Sequence, residues 1–273
     1  MSSGSRRWTC GVRAYGTPSR GAGAAAPEAC PRAPSRGRSV WACCFLRSWL
    51  ITLLLVTLVG LVPILGSQPA QTTEELVTYT SRLISSTARK GHFVALTFDD
   101  GPNPTWTPQV LDLLKQHDVH ATFCLIGQNV DRYPDLVRRT VAEGHRLCDH
   151  TVDHDDLRDS SNQRVRSEIR GGLDAIRRAV PDAAVRYYRA PYGAWSAYQV
   201  KVAARAGMRS LSWSVDTRDW AQPGVSAILA TVDRDLRPGG VILMHDSRGD
   251  RSQSVAALRI LLRDLPRQGY RFD

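Results

Sequence analysis

The stretch Thr97-Phe98-Asp99-Asp100-Gly101-Pro102 places two adjacent carboxylates at the end of an apolar run. The residues before it, Phe93-Val94-Ala95-Leu96, are typical of a buried parallel strand. Successive side chains of a strand point to opposite faces, so both acids can serve one site only where the strand ends. The Gly-Pro pair is the turn signal that ends it. Taken alone, such a pair of acids is explained by a solvated turn. The alternative is a functional site, because catalytic groups of α/β folds lie at the carboxyl ends of strands.

Beyond this stretch, apolar β-type runs alternate with amphipathic helical segments up to the end of the chain. The pattern predicts strands over 93–98, 121–126, 146–148, 186–189, 210–214, 241–244 and 270–272. It predicts helices over 107–116, 134–143, 164–179, 196–206, 225–236 and 255–265. The sequence therefore predicts an α/β fold of about seven β/α units, closed by right-handed crossovers into a barrel with one catalytic mouth.

The positive charge of the chain is concentrated at its N-terminus. The 273 residues carry a formal charge of +10, and residues 1–47 hold eight arginines against the single acid Glu28. This segment is rich in Gly, Ala, Ser and Pro, and we predict that it is a disordered basic tail. The remainder lacks a basic stripe with interleaved aromatic residues, which disfavours nucleic-acid binding.

An apolar segment follows the tail, and no charged residue occurs between Arg47 and Glu74. Residues 48–66 are predicted to span a membrane as an uncleaved signal anchor. The arginine-rich flank predicts a cytoplasmic tail and a single-pass protein of the cell membrane, with the rest of the chain extracytoplasmic. Secretion after signal cleavage is the alternative. Residues 67–91 are predicted to be a linker and residues 92–273 the folded domain.

Two of the six cysteines, Cys124 and Cys148, lie in the predicted extracytoplasmic domain. They could pair in an oxidising compartment. Because both lie in predicted strands, we favour two buried thiols.

Ionisable residues follow the predicted strands one after another. Solvated charges would not be expected to collect at one rim of a barrel, so this pattern predicts a functional site there. The residues are Asp99 and Asp100, His150 and His154, Arg189, Asp216 and Asp219, and His245 and Asp246.

The segment His150-Thr151-Val152-Asp153-His154 places two imidazoles four residues apart. This spacing puts both rings on one side of a helical turn and suits a shared metal ion, although two surface histidines would look the same. One carboxylate from the first strand would complete a set with open positions. Such a set suits catalytic Zn²⁺ and also non-haem Fe²⁺.

Five motifs occur in order along the predicted domain. Together they resemble those of the polysaccharide deacetylases, the NodB homology domain or carbohydrate esterase family 4. The motifs are TFDDGP at 97–102, HTVDH at 150–154, RAPYG at 189–193, DTRDW at 216–220 and LMHD at 243–246.

The resemblance implies a distorted (β/α)7 barrel and a divalent-metal hydrolase that releases acetate from the N-acetyl groups of a glucosamine polymer. Carried over by position, Asp100, His150 and His154 would be the metal ligands and Asp99 the general base. Zn²⁺ is the favoured metal, with Co²⁺, Mn²⁺ and Fe²⁺ as alternatives.

Further roles are implied in the same way. Arg189 would keep Asp99 ionised and oriented, and the backbone N–H of Tyr192 would stabilise the oxyanion. His245 would be the general acid, with its charged form supported by the carboxylate of Asp216. The implied substrate-binding residues are Pro191, Tyr192, Trp220 and Leu243, although core packing also explains the last two.

The expected partner is an acetylated glycan polymer. A tether to the outer membrane face favours peptidoglycan N-acetylglucosamine, with chitin oligosaccharide second. An O-acetyl esterase acting on xylan would use the same machinery. A glycan-binding module without activity is the rival from another class, but it predicts a missing ligand, base or acid, and none is missing. The sequence leaves the oligomeric state open.

Overall fold

The structure, a computed structural model, describes residues 83–273. The predicted tail, the predicted membrane anchor and most of the predicted linker lie outside the described residues. Among the helices that the structure describes, none is both long and apolar enough to cross a membrane.

Strands and helices alternate along the described part of the chain, as the sequence pattern predicts. The strands are β1 (Phe93–Asp99), β2 (Thr122–Leu125), β3 (Arg146–Asp149), β4 (Val185–Tyr188), β5 (Arg209–Ser210), β6 (Val215–Asp216), β7 (Gly240–His245) and β8 (Arg271–Phe272). The helices are α1 (Thr107–Gln116), α2 (Gly127–Arg132), α3 (Pro134–Ala142), α4 (Asn162–Ala179), α5 (Ala197–Arg205), α6 (Val225–Asp235) and α7 (Ser252–Arg267). Helix α2 was not predicted.

The strands form one curled parallel sheet in the order β5-β4-β3-β2-β1-β7-β6, and β8 pairs with the start of β1. Strand β1 is central and pairs in register with β7 from Val94 to Asp99. Its inner residues are buried because neighbours cover both faces of a parallel sheet. The predicted closed barrel is therefore a half-barrel in the described residues, with β5 and β6 at its edges.

The predicted strand over 210–214 is wrong beyond Ser210, the last residue of β5, because residues 211–214 carry the chain from one edge of the sheet to the other. Leu211 donates its backbone N–H to Tyr188 of β4, whereas Ser214 donates to Val241 of β7. Ile84, which lies in the segment predicted to be a linker, forms a parallel bridge with Leu211. The folded unit therefore includes residues on the N-terminal side of 92.

The main core lies between the sheet and the amphipathic helices that cover it. Helix α7 buries Leu258, Leu261, Leu262 and Leu265, a spacing of three and four residues that forms one apolar face. Each such leucine contributes about 1.5–3 kcal/mol by burial. This packing fixes the strands whose carboxyl ends carry the site.

A disulfide joins Cys124 of β2 to Cys148 of β3. The prediction of two free thiols is wrong, because the two residues are register partners on adjacent strands, with Cα atoms 4.2 Å apart. Strand assignment alone does not give this register. The bond is buried and lies in a small cluster with Leu211 and the partly buried Ile84.

Candidate active site

A cavity of about 490 Å³ opens at the carboxyl ends of the strands. Nine of the eleven residues to which the sequence analysis assigns a role are in its lining, which brings together residues from five strand ends. The lining consists of Asp99, Asp100, His150, His154, Ala190, Tyr192, Gly193, Trp213, Asp216, Trp220, Leu243, His245, Arg248 and Arg251. The strand-end pattern therefore located the cavity correctly.

The two adjacent acids reach the same cavity because the chain turns between them. Asp99 is the last residue of β1 and the register partner of His245 on β7. Asp100 has left the strand and adopts a left-handed conformation with φ 77°. The next position accepts only glycine, since a Cβ at Gly101 would lie 2.6 Å from Oδ1 of the buried Asp246.

The side chains of Asp100, His150 and His154 converge as a candidate metal site. The Asp100 Oδ1 atom lies 3.1 Å from His154 Nε2 and 3.7 Å from His150 Nε2. One ligand atom from each of the three buried residues lies within 4.8 Å of the others. Two imidazole nitrogens and one carboxylate oxygen at this spacing suit a catalytic divalent cation with open positions.

The protonation states of Asp100 and His150 also fit a cation. His150 Nδ1 donates to the Arg189 carbonyl oxygen at 2.7 Å, which leaves the Nε2 lone pair free for a ligand bond. Burial lowers the pKa of His150 to about 4, against the opposing charge of Asp99. Burial raises the pKa of Asp100, but the His154 hydrogen bond and nearby imidazoles outweigh it and bring the value to about 2. A neutral histidine and an ionised aspartate are the forms that bind a metal ion.

Asp99 is held from behind by Arg189, which is fully buried. Arg189 Nη1 donates to Asp99 Oδ1 at 2.5 Å and to the Thr97 hydroxyl at 2.9 Å. The same guanidinium donates to the carbonyl oxygens of Leu211 and Ser212. The free oxygen, Asp99 Oδ2, lies 3.6 Å from His150 Nε2 and thus beside the candidate metal site.

The carboxylate that binds His245 is Asp219, which corrects the predicted pairing with Asp216. His245 Nδ1 and Asp219 Oδ1 are 2.7 Å apart, and Asp219 Oδ2 accepts from the His245 backbone N–H and the Ser254 hydroxyl. Asp216 lines the cavity, but its Oδ1 accepts from the backbone N–H of Arg218. Strand β6 ends at Asp216, and the turn that follows brings Asp219 to β7.

This pair sets the charge of the histidine. Burial lowers the pKa of His245, but the hydrogen bond and charge of Asp219 outweigh it and raise the value to about 9. The pKa of Asp219 falls despite its burial, through the same hydrogen bond. His245 is therefore an imidazolium at neutral pH, with its Nε2 side left for the cavity.

The predicted substrate-binding residues lie in different environments. Tyr192 and Trp220 are exposed by 66% and 49% at the cavity mouth, and Leu243 is buried in its wall. Tyr192 also packs edge-on against His154, with ring centroids 4.6 Å apart. Pro191 is buried and lies outside the lining, in the short 3₁₀ turn Pro191–Gly193.

Sequence reasoning missed Trp213, Arg248 and Arg251 in the cavity lining. Trp213 lies in the wrongly predicted strand, and its ring packs 5.6 Å from the Arg189 guanidinium. The two arginines follow β7 directly, so the strand-end signal was present but was applied only as far as Asp246.

Several non-glycine residues around the cavity adopt left-handed backbone conformations. Asp100, His154, Tyr192 and Arg248 have φ values between 58° and 77°, and all four line the cavity. Such conformations cost about 1–3 kcal/mol each and persist where the surrounding structure holds them. Their concentration around one cavity indicates that the surrounding structure holds these residues in place at a cost in folding stability.

Comparison with known proteins agrees with this geometry. The polysaccharide deacetylase family model matches residues 86–211. A chitooligosaccharide deacetylase of Bradyrhizobium sp. (strain ANU 289) is 45% identical over 188 residues, covering 65% of this chain and 86% of that protein. A peptidoglycan-N-acetylglucosamine deacetylase of Bacillus cereus (strain ATCC 14579) is 42% identical over 181 residues, covering 66% and 84%. The solved structure of the Bc1960 peptidoglycan N-acetylglucosamine deacetylase aligns with TM-score 0.67 and 36% identity, covering 72% and 91%.

Proposed function

Because the chain belongs to the polysaccharide deacetylase family, a family of hydrolases that deacetylate N-acetylglucosamine-containing glycans, we propose that it is a metal-dependent N-deacetylase of peptidoglycan. The observation that carries the proposal is the convergence of the Asp100, His150 and His154 ligand set with Asp99 and His245 in one cavity. A base and an acid on adjacent strands, in the same cavity as a cation site, fit amide hydrolysis.

Asp100, His150 and His154 would hold the cation, and Zn²⁺ is our first choice, with Co²⁺, Mn²⁺ and Fe²⁺ as alternatives. When bound, the ion supplies Lewis acidity to the acetyl carbonyl and lowers the pKa of the attacking water. The Arg189 carbonyl orients His150 through Nδ1 and fixes its tautomer.

Asp99 is the proposed general base, and Oδ2 is the atom that receives the proton of the water. The other oxygen is taken by Arg189, which fixes the carboxylate plane and keeps Oδ2 turned toward the ligand set. Because Arg189 also donates to Thr97 and to two carbonyl oxygens, it acts as a rigid support for the base.

His245 is the proposed general acid, which donates a proton to the departing amine. The amine is a poor leaving group unless its nitrogen is protonated, so this step matters more for N-deacetylation than for ester hydrolysis. The Asp219 carboxylate keeps His245 protonated at neutral pH, with a pKa raised to about 9. An imidazolium poised in this way favours the amidase over the xylan esterase alternative.

The backbone N–H of Tyr192 is proposed to stabilise the oxyanion. Its left-handed conformation, φ 58°, belongs to the 3₁₀ turn at the cavity wall. Leu243 and Trp220 are proposed to enclose the acetyl methyl group, since both line the cavity beside His245.

The choice of peptidoglycan rests on two considerations. One relative named as a peptidoglycan-N-acetylglucosamine deacetylase is 42% identical to this chain. The predicted anchor at 48–66 would place the domain extracytoplasmically at the cell membrane, where that polymer is adjacent. Chitin oligosaccharide is the second candidate, because a chitooligosaccharide deacetylase is 45% identical. The non-catalytic module is not favoured, since the residues proposed as ligands, base and acid all line the cavity.

The test is acetate release by the full chain from peptidoglycan, chitin oligomers and acetylated xylan, with Zn²⁺ added or chelated. We expect metal-dependent release, fastest from peptidoglycan. Release from xylan alone would replace the proposal with the esterase. Binding of a glycan by folded, metal-loaded protein that releases no acetate would favour the non-catalytic module.

A further inference from the structure

Two arginines, called here the rim arginines, have no part in the proposed chemistry: Arg248 of the cavity lining, and Arg218, which lies outside that lining beside Trp220. Arg248 lines the cavity, its side chain is 45% exposed, and its Nε lies 4.0 Å from Asp100 Oδ2. Arg218 is exposed, and its guanidinium carbon lies 5.6 Å from the centre of the Trp220 ring. Within residues 83–273, Arg218 forms no ion pair, and Asp100 is the single acid within 4.0 Å of Arg248.

Both arginines have an energetically unfavourable backbone conformation. Arg218 and Arg248 are left-handed, with φ 53° and 60°, a conformation that a side chain disfavours. Asp216 Oδ1 fixes the first by accepting the Arg218 backbone N–H at 2.9 Å. The second lies on the loop between β7 and α7.

The buried Arg251 ties these two loops together. Its guanidinium donates to the carbonyl oxygens of Ser247, Arg248 and Asp250 on its own loop, and to that of Trp220 on the other. Arg251 is only 3% exposed. Because Arg251 donates to backbone carbonyl oxygens, its role is to hold the two loops together. Ligand binding is left to Arg248 and Arg218.

The charges inside the cavity leave the rim cations without a strong partner. Asp99 is paired with Arg189 and Asp219 with His245, while Asp216 accepts the backbone N–H of Arg218 and forms no ion pair among the described residues. Asp100 is the acid nearest Arg248, and it faces the two histidines of the candidate metal site. A cation held there would take up the charge of Asp100, so the mouth would present net positive charge to the glycan.

We propose that Arg248 and Arg218 bind a carboxylate of the glycan next to the acetamide that is hydrolysed. The inference rests on the proposed function and deepens it by naming a substrate class. A guanidinium binds a carboxylate through two parallel hydrogen bonds. In peptidoglycan such a group stands on the lactyl ether of a muramic acid that carries no stem peptide, because an attached peptide converts the carboxylate to an amide; chitin has none. The exposed Trp220 ring beside Arg218 offers an apolar surface for the intervening sugar.

The test compares two substrates that differ only in this charge. One is an oligosaccharide of alternating N-acetylglucosamine and N-acetylmuramic acid, and the other is its lactyl methyl ester. We expect wild-type protein with Zn²⁺ to favour the free acid in kcat/KM by about five- to tenfold at low salt. Arg248→Gln and Arg218→Gln should each lower this ratio about threefold, and added NaCl should lower it further in wild type.

Arg263→Gln is the matched control, because Arg263 is exposed on α7 and pairs with Asp264 outside the cavity. It should leave the ratio unchanged. A wild-type ratio near one, or a ratio unaffected by both rim variants, would overturn the inference.

The failure of the inference is distinguishable from that of the proposed function. If zinc-loaded wild type releases acetate from neither glycan, the proposed deacetylation fails. The affinities of the two glycans for Asp99→Asn protein then test carboxylate binding by the rim arginines without any need for catalysis. Equal affinities would overturn carboxylate binding, whereas tighter binding of the free acid, lost in the double variant with Arg248→Gln, would support it.

Discussion

His245 Nδ1 lies 2.7 Å from Asp219 Oδ1, in an ion pair that is almost entirely buried at the wall of the cavity. The carboxylate raises the pKa of His245 to about 9. Since the imidazolium is the proposed proton donor, activity should be retained up to this pH and fall as the pH rises through it.

Asp219→Asn should move the alkaline limb of kcat toward the ordinary histidine value of 6.5. At pH 8 the protonated fraction, and with it kcat, should fall roughly 30-fold. The check is a pH–rate profile beside Asp216→Asn, which removes the other acid of this segment without touching the pair. An alkaline limb that moves in Asp216→Asn and stays in Asp219→Asn would contradict the assignment.

Zn²⁺ should stabilise the protein through Asp100. At a free concentration about 100 times the Kd, ligand binding adds about 2.7 kcal/mol, or a rise in Tm of roughly 5–10 °C. Asp100→Asn should abolish most of this rise, whereas Asp216→Asn, which also alters a cavity acid, should retain it. Thermal unfolding with and without the metal measures both, and an equal rise in all three proteins would disprove the ligand set.

Arg189→Met should lower the free energy of unfolding by about 3–5 kcal/mol, because it leaves Asp99 as an uncompensated buried charge. The double variant with Asp99→Asn should recover part of the loss, since the charge is then gone. Denaturant titrations of the two single variants, the double variant and wild type form the cycle. Additive losses would mean that the pair is not coupled.

Two neighbouring glycines of α4 offer a matched pair. A Cβ at Gly172 would lie 2.2 Å from Asp149 Oδ1 and 2.9 Å from the Thr151 carbonyl, directly behind the histidine loop. Gly172→Ala should therefore cost about 2 kcal/mol or more and weaken Zn²⁺ affinity at least tenfold. At Gly171 the close atom is only Val152 Cγ2, at the end of a side chain that can rotate.

Gly171→Ala should accordingly be neutral or slightly stabilising, because alanine is favoured over glycine within a helix by about 1 kcal/mol. Denaturation and metal titration measure both variants. Equal losses of metal affinity in the two would contradict the role assigned to the packing at Gly172.

The sequence was sufficient to predict those features of the site that depend on the position of a residue along a strand. The end of β1 at Asp99 and the carboxyl ends of the other strands predicted the cavity, because parallel strands bring these ends together. Helix α1 occupies the predicted range 107–116, since its apolar spacing and its Pro108 mark the element clearly.

The sequence was insufficient wherever a contact depends on how far a turn carries the chain. Asp216 and Asp219 are three residues apart, and only the turn after β6 decides which of them meets His245. The register that joins Cys124 to Cys148 is likewise set by the pairing of β2 with β3. Local patterns do not encode either relationship.

The measurement that tests the central claim most directly is the joint yield of acetate and free amine from peptidoglycan treated with the Zn²⁺-loaded full chain. Wild type should release both in equal amounts, and Asp99→Asn, whose Oδ2 is lost as the proton acceptor, should release about 10²–10⁴-fold less. Acetate without matching amine would identify ester hydrolysis, and undiminished release by Asp99→Asn would contradict the proposed base.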